Sequence, residues 1–65
     1  MPFMKEENGE WVMSRGKHSG ETLRHVADTD KKYLQWMFEN VTETMKDDEF
    51  HALEDMMNEF DIEFP

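Results

Sequence analysis

The chain has 65 residues and a net charge of −9, contains no cysteine, and never places more than three apolar residues in a row. A chain of this length forms one domain at most, and such domains bury only about 60% of the surface that the unfolded chain exposes. The missing cysteines exclude disulfides and thiolate metal sites and favour a cytoplasmic location. The short apolar runs exclude a membrane span, and the first residues lack the pattern of a signal peptide.

The acidic excess lies entirely in the second half of the chain. Residues 1–26 carry four basic and four acidic side chains, whereas the rest carries three lysines against twelve acids. From Asp47 onward there is no lysine or arginine. A surface this acidic repels phosphate, so it disfavours contact with nucleic acid. Two interpretations stay open: the acids attract a basic protein surface, or they form a solvated helix face.

The first element in chain order is a hairpin. Asn8-Gly9 is a strong signal for a type I′ turn, because both residues tolerate positive φ. Strands over residues 3–7 and 10–14 would place Met4 opposite Met13. A two-stranded ribbon is not stable alone, so we expect it to pack on the rest of the domain.

The helices follow a loop that Gly16 and Gly20 frame. Residues 21–27 predict a short helical turn or, as an alternative, a brief strand. Residues 30–41 predict the clearest helix, with apolar residues at helical spacing. N-cap candidates for that helix are Asp28, Thr29 and Asp30. Residues 41–46 form a connection, in which Thr42 or Thr44 is a candidate cap for the second main helix. This second helix, at 47–60, is acidic and amphipathic, and residues 61–65 form a tail. The pattern predicts a small α+β domain over residues 1–65, with the hairpin and the glycine-framed loop packed on two main helices.

One stretch carries a family resemblance. It contains Gly16-Lys17-His18-Ser19-Gly20, Leu23, Val26, Asp30, Tyr33-Leu34 and Trp36. Over about 12–40 it resembles the carboxy-terminal module of exodeoxyribonuclease X-like nucleases, which also occurs in short proteins of bacteria and phages. The resemblance implies a module that accompanies DNA-processing enzymes. The metal-binding carboxylates of those nucleases lie in a separate domain, which nothing in this chain matches. Arg15 replaces a family aromatic and Ser19 a family basic residue, and the loss of that basic residue, together with the net charge of −9, weakens direct DNA contact.

Two features of this stretch allow a functional and a structural interpretation. The loop offers backbone N–H groups to a phosphate, with Arg15, Lys17, His18 and Arg24 as candidate nucleic-acid contacts, or its glycines serve only a sharp reversal. Tyr33 and Trp36 form a stacking platform for bases or belong to the core. The small size of the domain favours the core, with Trp36 packed beneath the loop.

No residue pattern indicates catalysis. The three histidines do not have metal-ligand spacing, and no nucleophile lies in a pattern with a base. We therefore expect no enzymatic activity, no metal and no cofactor.

The leading functional hypothesis is a non-enzymatic accessory or regulatory protein, bacterial or phage-encoded, that binds a protein partner in DNA metabolism, such as a DNA-processing or host-defence protein. Its acidic face would comprise Asp47, Asp48, Glu54, Asp55, Glu59, Asp61 and Glu63, with apolar contact area from Met57, Phe60 and Phe64. The alternative is direct nucleic-acid binding by the loop and its nearby basic residues, which extend to Lys31 and Lys32. A homodimer closed by the tail is a third possibility.

Overall fold

A computed structural model describes residues 2–65 and confirms a small α+β domain. Its elements are β1 (Met4–Glu7), β2 (Glu10–Met13), α1 (Leu23–Thr29), α2 (Lys31–Asn40), a 3₁₀ turn (Thr42–Thr44) and α3 (Asp47–Glu59). The predicted turn over 21–27 is thus a complete short helix that starts two residues later. Among residues 2–65, no helix is both long enough and apolar enough to cross a bilayer.

The hairpin has the predicted register. Met4 pairs with Met13 in an antiparallel ribbon, and Asn8 and Gly9 have φ values of 51° and 81°, as a type I′ turn requires. Both methionines are 1% exposed, so this face of the ribbon packs into the core. After loop 16–20 the chain returns beside β2, where the Met13 N–H donates to the Glu21 carbonyl at 2.8 Å.

Polar side chains cap the amino ends of the first two helices. Thr22 caps α1 by accepting a hydrogen bond from the His25 N–H at 3.0 Å. Asp30 caps α2 by accepting from the Tyr33 N–H at 3.3 Å. Both caps satisfy backbone donors that the first helical turn leaves unpaired. The sharp change of direction at Asp30 therefore lets α1 and α2 follow each other without a loop.

The predicted caps of α3 are wrong. Its N-cap is Lys46, which makes no side-chain capping bond. The Thr42 and Thr44 hydroxyls instead donate to the carbonyls of Phe38 and Val41, each at 3.0 Å. Hydroxyls commonly bond to carbonyls three or four residues earlier in this way. The two threonines thus close the 3₁₀ turn.

The core draws on both strands and all three α-helices. Its buried apolar side chains are Phe3, Met4, Met13, Leu23, Val26, Ala27, Leu34, Met37, Leu53, Met57 and Ile62. Met57 is fully buried, so its predicted role as contact area for a partner is wrong. The reason is that Met57 follows Leu53 by four residues, so both side chains lie on the face of α3 that packs into the core. The tail folds back with Ile62, and the Gln35 side chain donates to the Glu63 carbonyl at 3.0 Å.

Candidate functional site: an aromatic cleft

Two backbone N–H groups of loop 16–20 are already bonded within the chain. The Gly20 N–H donates to the Met13 carbonyl at 2.9 Å, and the Ser19 N–H donates to the Gly16 carbonyl at 3.2 Å. Gly16 and Gly20 have φ values of 87° and 90°, a conformation that glycine adopts without steric cost. These two N–H groups are therefore occupied, and the geometry fits a tight reversal better than a cradle for phosphate.

His18 holds the loop against the start of α2. Its Nδ1 lies 3.0 Å from Glu21 Oε2 and its Nε2 lies 3.0 Å from Asp30 Oδ2, while its side chain is 15% exposed. The hydrogen bond to Asp30, followed by the one to Glu21, raises the pKa of His18 above its ordinary value of 6.5. The same contact with His18, more than that with Lys17, lowers the pKa of Asp30. When protonated, the imidazolium thus donates from both nitrogens, and neither is free for a ligand.

Tyr33 occupies the space beneath the loop. A Cβ atom added at Gly16 would lie 2.6 Å from the Tyr33 hydroxyl. The His18 ring meets the Tyr33 ring edge-on, with the two centroids 4.7 Å apart. Burial raises the pKa of the Tyr33 hydroxyl, in line with the low-dielectric surroundings of a packed ring. Tyr33 is therefore the aromatic residue that supports the loop.

Trp36 does not pack beneath the loop, contrary to the prediction from the sequence. It is 46% exposed and stacks on the outer side of Tyr33, with centroids 5.4 Å apart and planes 29° apart. The Phe3 ring lies beside it, at a centroid distance of 6.1 Å. Since Tyr33 already fills the position below the loop, Trp36, one helical turn later, lies at the solvent boundary.

Tyr33 and Trp36 line a cleft of about 340 Å³ together with Lys17, Asp30 and Lys32; these five residues are called the aromatic cleft below. Lys17 Nζ lies 3.3 Å from Asp30 Oδ2 and 5.5 Å from the centroid of the Tyr33 ring. Lys32 is exposed. The cleft combines an accessible aromatic face with two ammonium groups, which is the chemistry that stacks a flat ring and neutralises a nearby anion.

All five residues of the cleft lie in one segment of the chain. Residues 13–42 match the family described as Exodeoxyribonuclease X-like C-terminal. The match confirms the resemblance predicted from the motif, and it covers slightly under half of the chain. The matched segment thus contains the whole aromatic cleft, whereas α3 and the tail lie outside it. No curated protein and no solved structure shows a significant match.

Two other predicted nucleic-acid contacts lie away from the cleft. Arg24 forms a salt bridge with Glu59, and its guanidinium lies 5.9 Å from the centroid of the Phe60 ring. Arg15 lies 5.8 Å from the centroid of Phe3. Of the predicted basic residues, Lys17 and His18 lie against the Tyr33 ring. The pairing also joins a predicted nucleic-acid contact, Arg24, to a predicted partner contact, Glu59, so each offsets the other's charge.

The rest of the predicted acidic surface is largely open to solvent. Five further acids of the predicted acidic face are exposed: Asp47, Asp48, Asp55, Asp61 and Glu63. Glu54 is half-buried and lies 3.3 Å from His51 Nδ1. Phe64 is 42% exposed and packs edge-on against Phe38 at 4.9 Å. Phe60 is half-buried, with Lys31 Nζ 5.1 Å from its centroid.

Lys32 and Asp30 also line the cleft. From the sequence Lys32 was a further possible nucleic-acid contact, and Asp30 was expected only as a helix cap and a residue of the motif. Lys32 precedes Trp36 by four residues, and side chains at that spacing share one face of a helix. That spacing was the available signal for Lys32. The cap position of Asp30 gave no comparable signal, because only the folded loop brings Lys17 and His18 to it. Among residues 2–65, no group of three or more His, Cys, Asp or Glu side chains is arranged to hold a metal ion.

Proposed function

We propose that this protein is a non-enzymatic nucleic-acid-binding module that takes a single-stranded segment in the aromatic cleft. The exposure of Trp36 carries the proposal. A chain of 65 residues has little apolar surface to bury, yet it leaves nearly half of the Trp36 side chain in solvent, in a cleft that two lysines also line. Single-strand binders combine these two features, an open aromatic face and nearby cations.

The geometry indicates a small and sequence-tolerant site. A base would stack on the open face of Trp36, while Tyr33 supports the indole ring from the other side. The ammonium groups of Lys17 and Lys32 would contact the flanking phosphates. The bases of a duplex are already stacked on each other, so a single strand fits this mode better. Every base has a flat face, so we expect little sequence preference.

The test is the binding of a fluorescein-labelled oligothymidylate, followed by anisotropy. Removing one stacking ring costs about 1–3 kcal/mol, so Trp36→Ala should weaken binding roughly 5- to 150-fold. Two neutralised phosphates give a slope of about −1.4 in a plot of log K against log salt. Raising the salt from 50 to 200 mM should thus weaken binding about sevenfold.

The matched controls come from the hairpin. Trp11→Phe changes the other tryptophan, and Lys5→Ala removes an exposed lysine outside the cleft. Both should bind as the wild type does, whereas Lys32→Ala should bind more weakly. If the wild type shows no saturable binding, or if Trp36→Ala binds equally well, the proposed function is wrong.

A second candidate is a regulatory protein that binds a basic protein partner in bacterial or phage DNA metabolism through the acidic face. Its support is the run from Asp47 onward without a lysine or arginine, together with the half-exposed Phe64 beside it. We rank it second because Met57 is buried and Glu59 is paired with Arg24. A cytoplasmic location is part of both proposals.

Charge reversal separates this candidate from a solvated helix face. Asp47, Asp48 and Asp55 are changed to lysine in one variant, and the exposed Glu6, Glu39 and Glu43 in a control with the same change of net charge. Both are used to capture proteins from nuclease-treated bacterial lysate. A DNA-metabolism protein retained by the wild type and the control, but lost by the first variant, would support the acidic face. Equal capture by both variants would contradict it.

A further inference from the structure

A second cavity is lined in part by Phe3, whose ring also lies near the aromatic residues of α2. It has a volume of about 580 Å³ and is lined by residues that flank the hairpin, the end of α2, the 3₁₀ turn and the start of α3. Glu49 lies in this lining with Phe3, Arg15, Asn40, Val41, Thr44 and Lys46. We call it the Glu49 groove. It contains none of the five residues of the aromatic cleft, so a ligand there does not depend on the proposed function.

Glu49 is the unusual member of this lining. It is 4% exposed, and it is the one charged side chain buried within residues 2–65. Its Oε2 atom is buried and has no hydrogen-bond partner. A buried carboxylate without a donor is costly, because it has lost water and gained nothing in exchange. Its place in the first turn of α3 favours negative charge but supplies no direct donor to this oxygen.

The polar groups nearby do not satisfy Glu49. Asn40 and Thr44 line the same groove, yet the Asn40 side chain donates to the Trp36 carbonyl at 2.9 Å and the Thr44 hydroxyl donates to the Val41 carbonyl at 3.0 Å. Each of these groups thus donates to a backbone carbonyl, and neither donates to Glu49 Oε2. Glu49, which lines the cavity, therefore has one carboxylate oxygen without a donor, and a donor from a bound ligand would satisfy it.

We propose that the Glu49 groove binds an alkylammonium group, as carried by a lysine side chain or a free polyamine. The ammonium would donate to the Glu49 carboxylate, and the methylene stem would lie along Phe3 and Val41. An ammonium is compact and turns its three donors freely on a flexible stem. A flat guanidinium binds best to two acceptors side by side, whereas Glu49 has one carboxylate oxygen without a partner. The exposed Arg15 and Lys46 oppose a cation, so affinity is expected in the millimolar range, as for a single anchored group.

The experiment is a titration of the full chain with n-butylammonium, followed by NMR of the backbone amides, with n-butanol as the neutral probe. Saturable shifts at Phe3, Val41 and Glu49 are expected with the ammonium alone. Replacing a charged by a neutral acceptor in Glu49→Gln should weaken binding about tenfold. Glu43→Gln removes an exposed carboxylate from the neighbouring 3₁₀ turn and should leave binding unchanged.

A second measurement on the wild type guards against a Glu49→Gln variant that fails to fold. Nuclear Overhauser contacts from the butyl methylenes to the Phe3 ring and Val41 methyls are expected. Their absence, equal binding of n-butanol, or unchanged binding by a folded Glu49→Gln would overturn the proposal. Cadaverine and Nα-acetyl-lysine amide then distinguish the two sources, since tighter binding of either identifies the natural donor.

Discussion

Replacing Gly16 with alanine tests the close contact between loop 16–20 and Tyr33. Gly16 has a φ of 87°, and a Cβ atom built there lies 2.6 Å from the Tyr33 hydroxyl. An ordinary contact begins at about 3.4 Å, so one group must move by roughly 0.8 Å. The tyrosine ring has little freedom to move, because the rings of His18 and Trp36 pack on it, with centroid distances of 4.7 Å and 5.4 Å.

The magnitude has two parts. A left-handed conformation costs an alanine about 1–2 kcal/mol, and overpacking adds about 1–3 kcal/mol. We therefore expect Gly16→Ala to lower the free energy of unfolding by about 2–5 kcal/mol. A domain of this size has a total of about 3–10 kcal/mol, so the variant should lose a large share of its stability.

The assay is urea unfolding, followed by tryptophan fluorescence. Gly20→Ala is the matched control, because its φ is 90° and nothing lies within 4 Å of its Cβ position. It should lose only the conformational part, about 1–2 kcal/mol. Adding Tyr33→Phe to Gly16→Ala removes the clashing hydroxyl and should restore about 1–3 kcal/mol.

Two results would refute this reasoning. Equal losses for Gly16→Ala and Gly20→Ala would show that the hydroxyl does not restrict Gly16. A Gly16→Ala variant that Tyr33→Phe fails to restore would show that the cost lies in the backbone alone.

Three further substitutions test other parts of the structure by the same unfolding assay. His18→Gln should destabilise by about 2 kcal/mol in acid, through loss of two charge-assisted bonds. Because folding raises the pKa of His18 above 6.5, this contribution is fully present below pH 6.5 and is lost as the pH rises through the raised pKa. A difference from wild type that grows with pH would contradict it. Leu53→Ala empties a fully buried site and should cost about 2–5 kcal/mol, against about 0.5 kcal/mol or less for the exposed Asn58→Ala; similar losses would disprove the core assignment. Thr22→Ala removes the cap of α1 and should cost about 1 kcal/mol, and a variant as stable as wild type would show that the cap contributes nothing.

The hairpin and α2 were predictable because short-range signals specify them. Asn8-Gly9 accepts positive φ at both positions, which determines the register of the flanking strands without any distant contact. The apolar residues of α2 recur at helical spacing, so Leu34 and Met37 were expected in the core and are buried there. The cap of α3 was mispredicted because a threonine hydroxyl bonds equally well to an N–H ahead or a carbonyl behind.

The candidate site was predicted only in part. The motif supplied Lys17, Tyr33 and Trp36, but helical spacing places both aromatics near the same face and does not decide which one the loop covers. Only the packed loop, with the Tyr33 hydroxyl against Gly16, leaves Trp36 in solvent. Glu49 carries no sequence signal either, because a glutamate in the first turn of a helix is ordinarily solvated.

By itself the sequence therefore determined the hairpin, the main helices and the family resemblance, all of which depend on residues near each other in the chain. The tertiary structure decided which charges are neutralised and which rings are open. Arg24 meets Glu59 across 35 positions, and His18 meets Asp30 across 12. Such pairs depend on how the elements pack around a small core. The same packing buries Met57 and leaves Trp36 exposed.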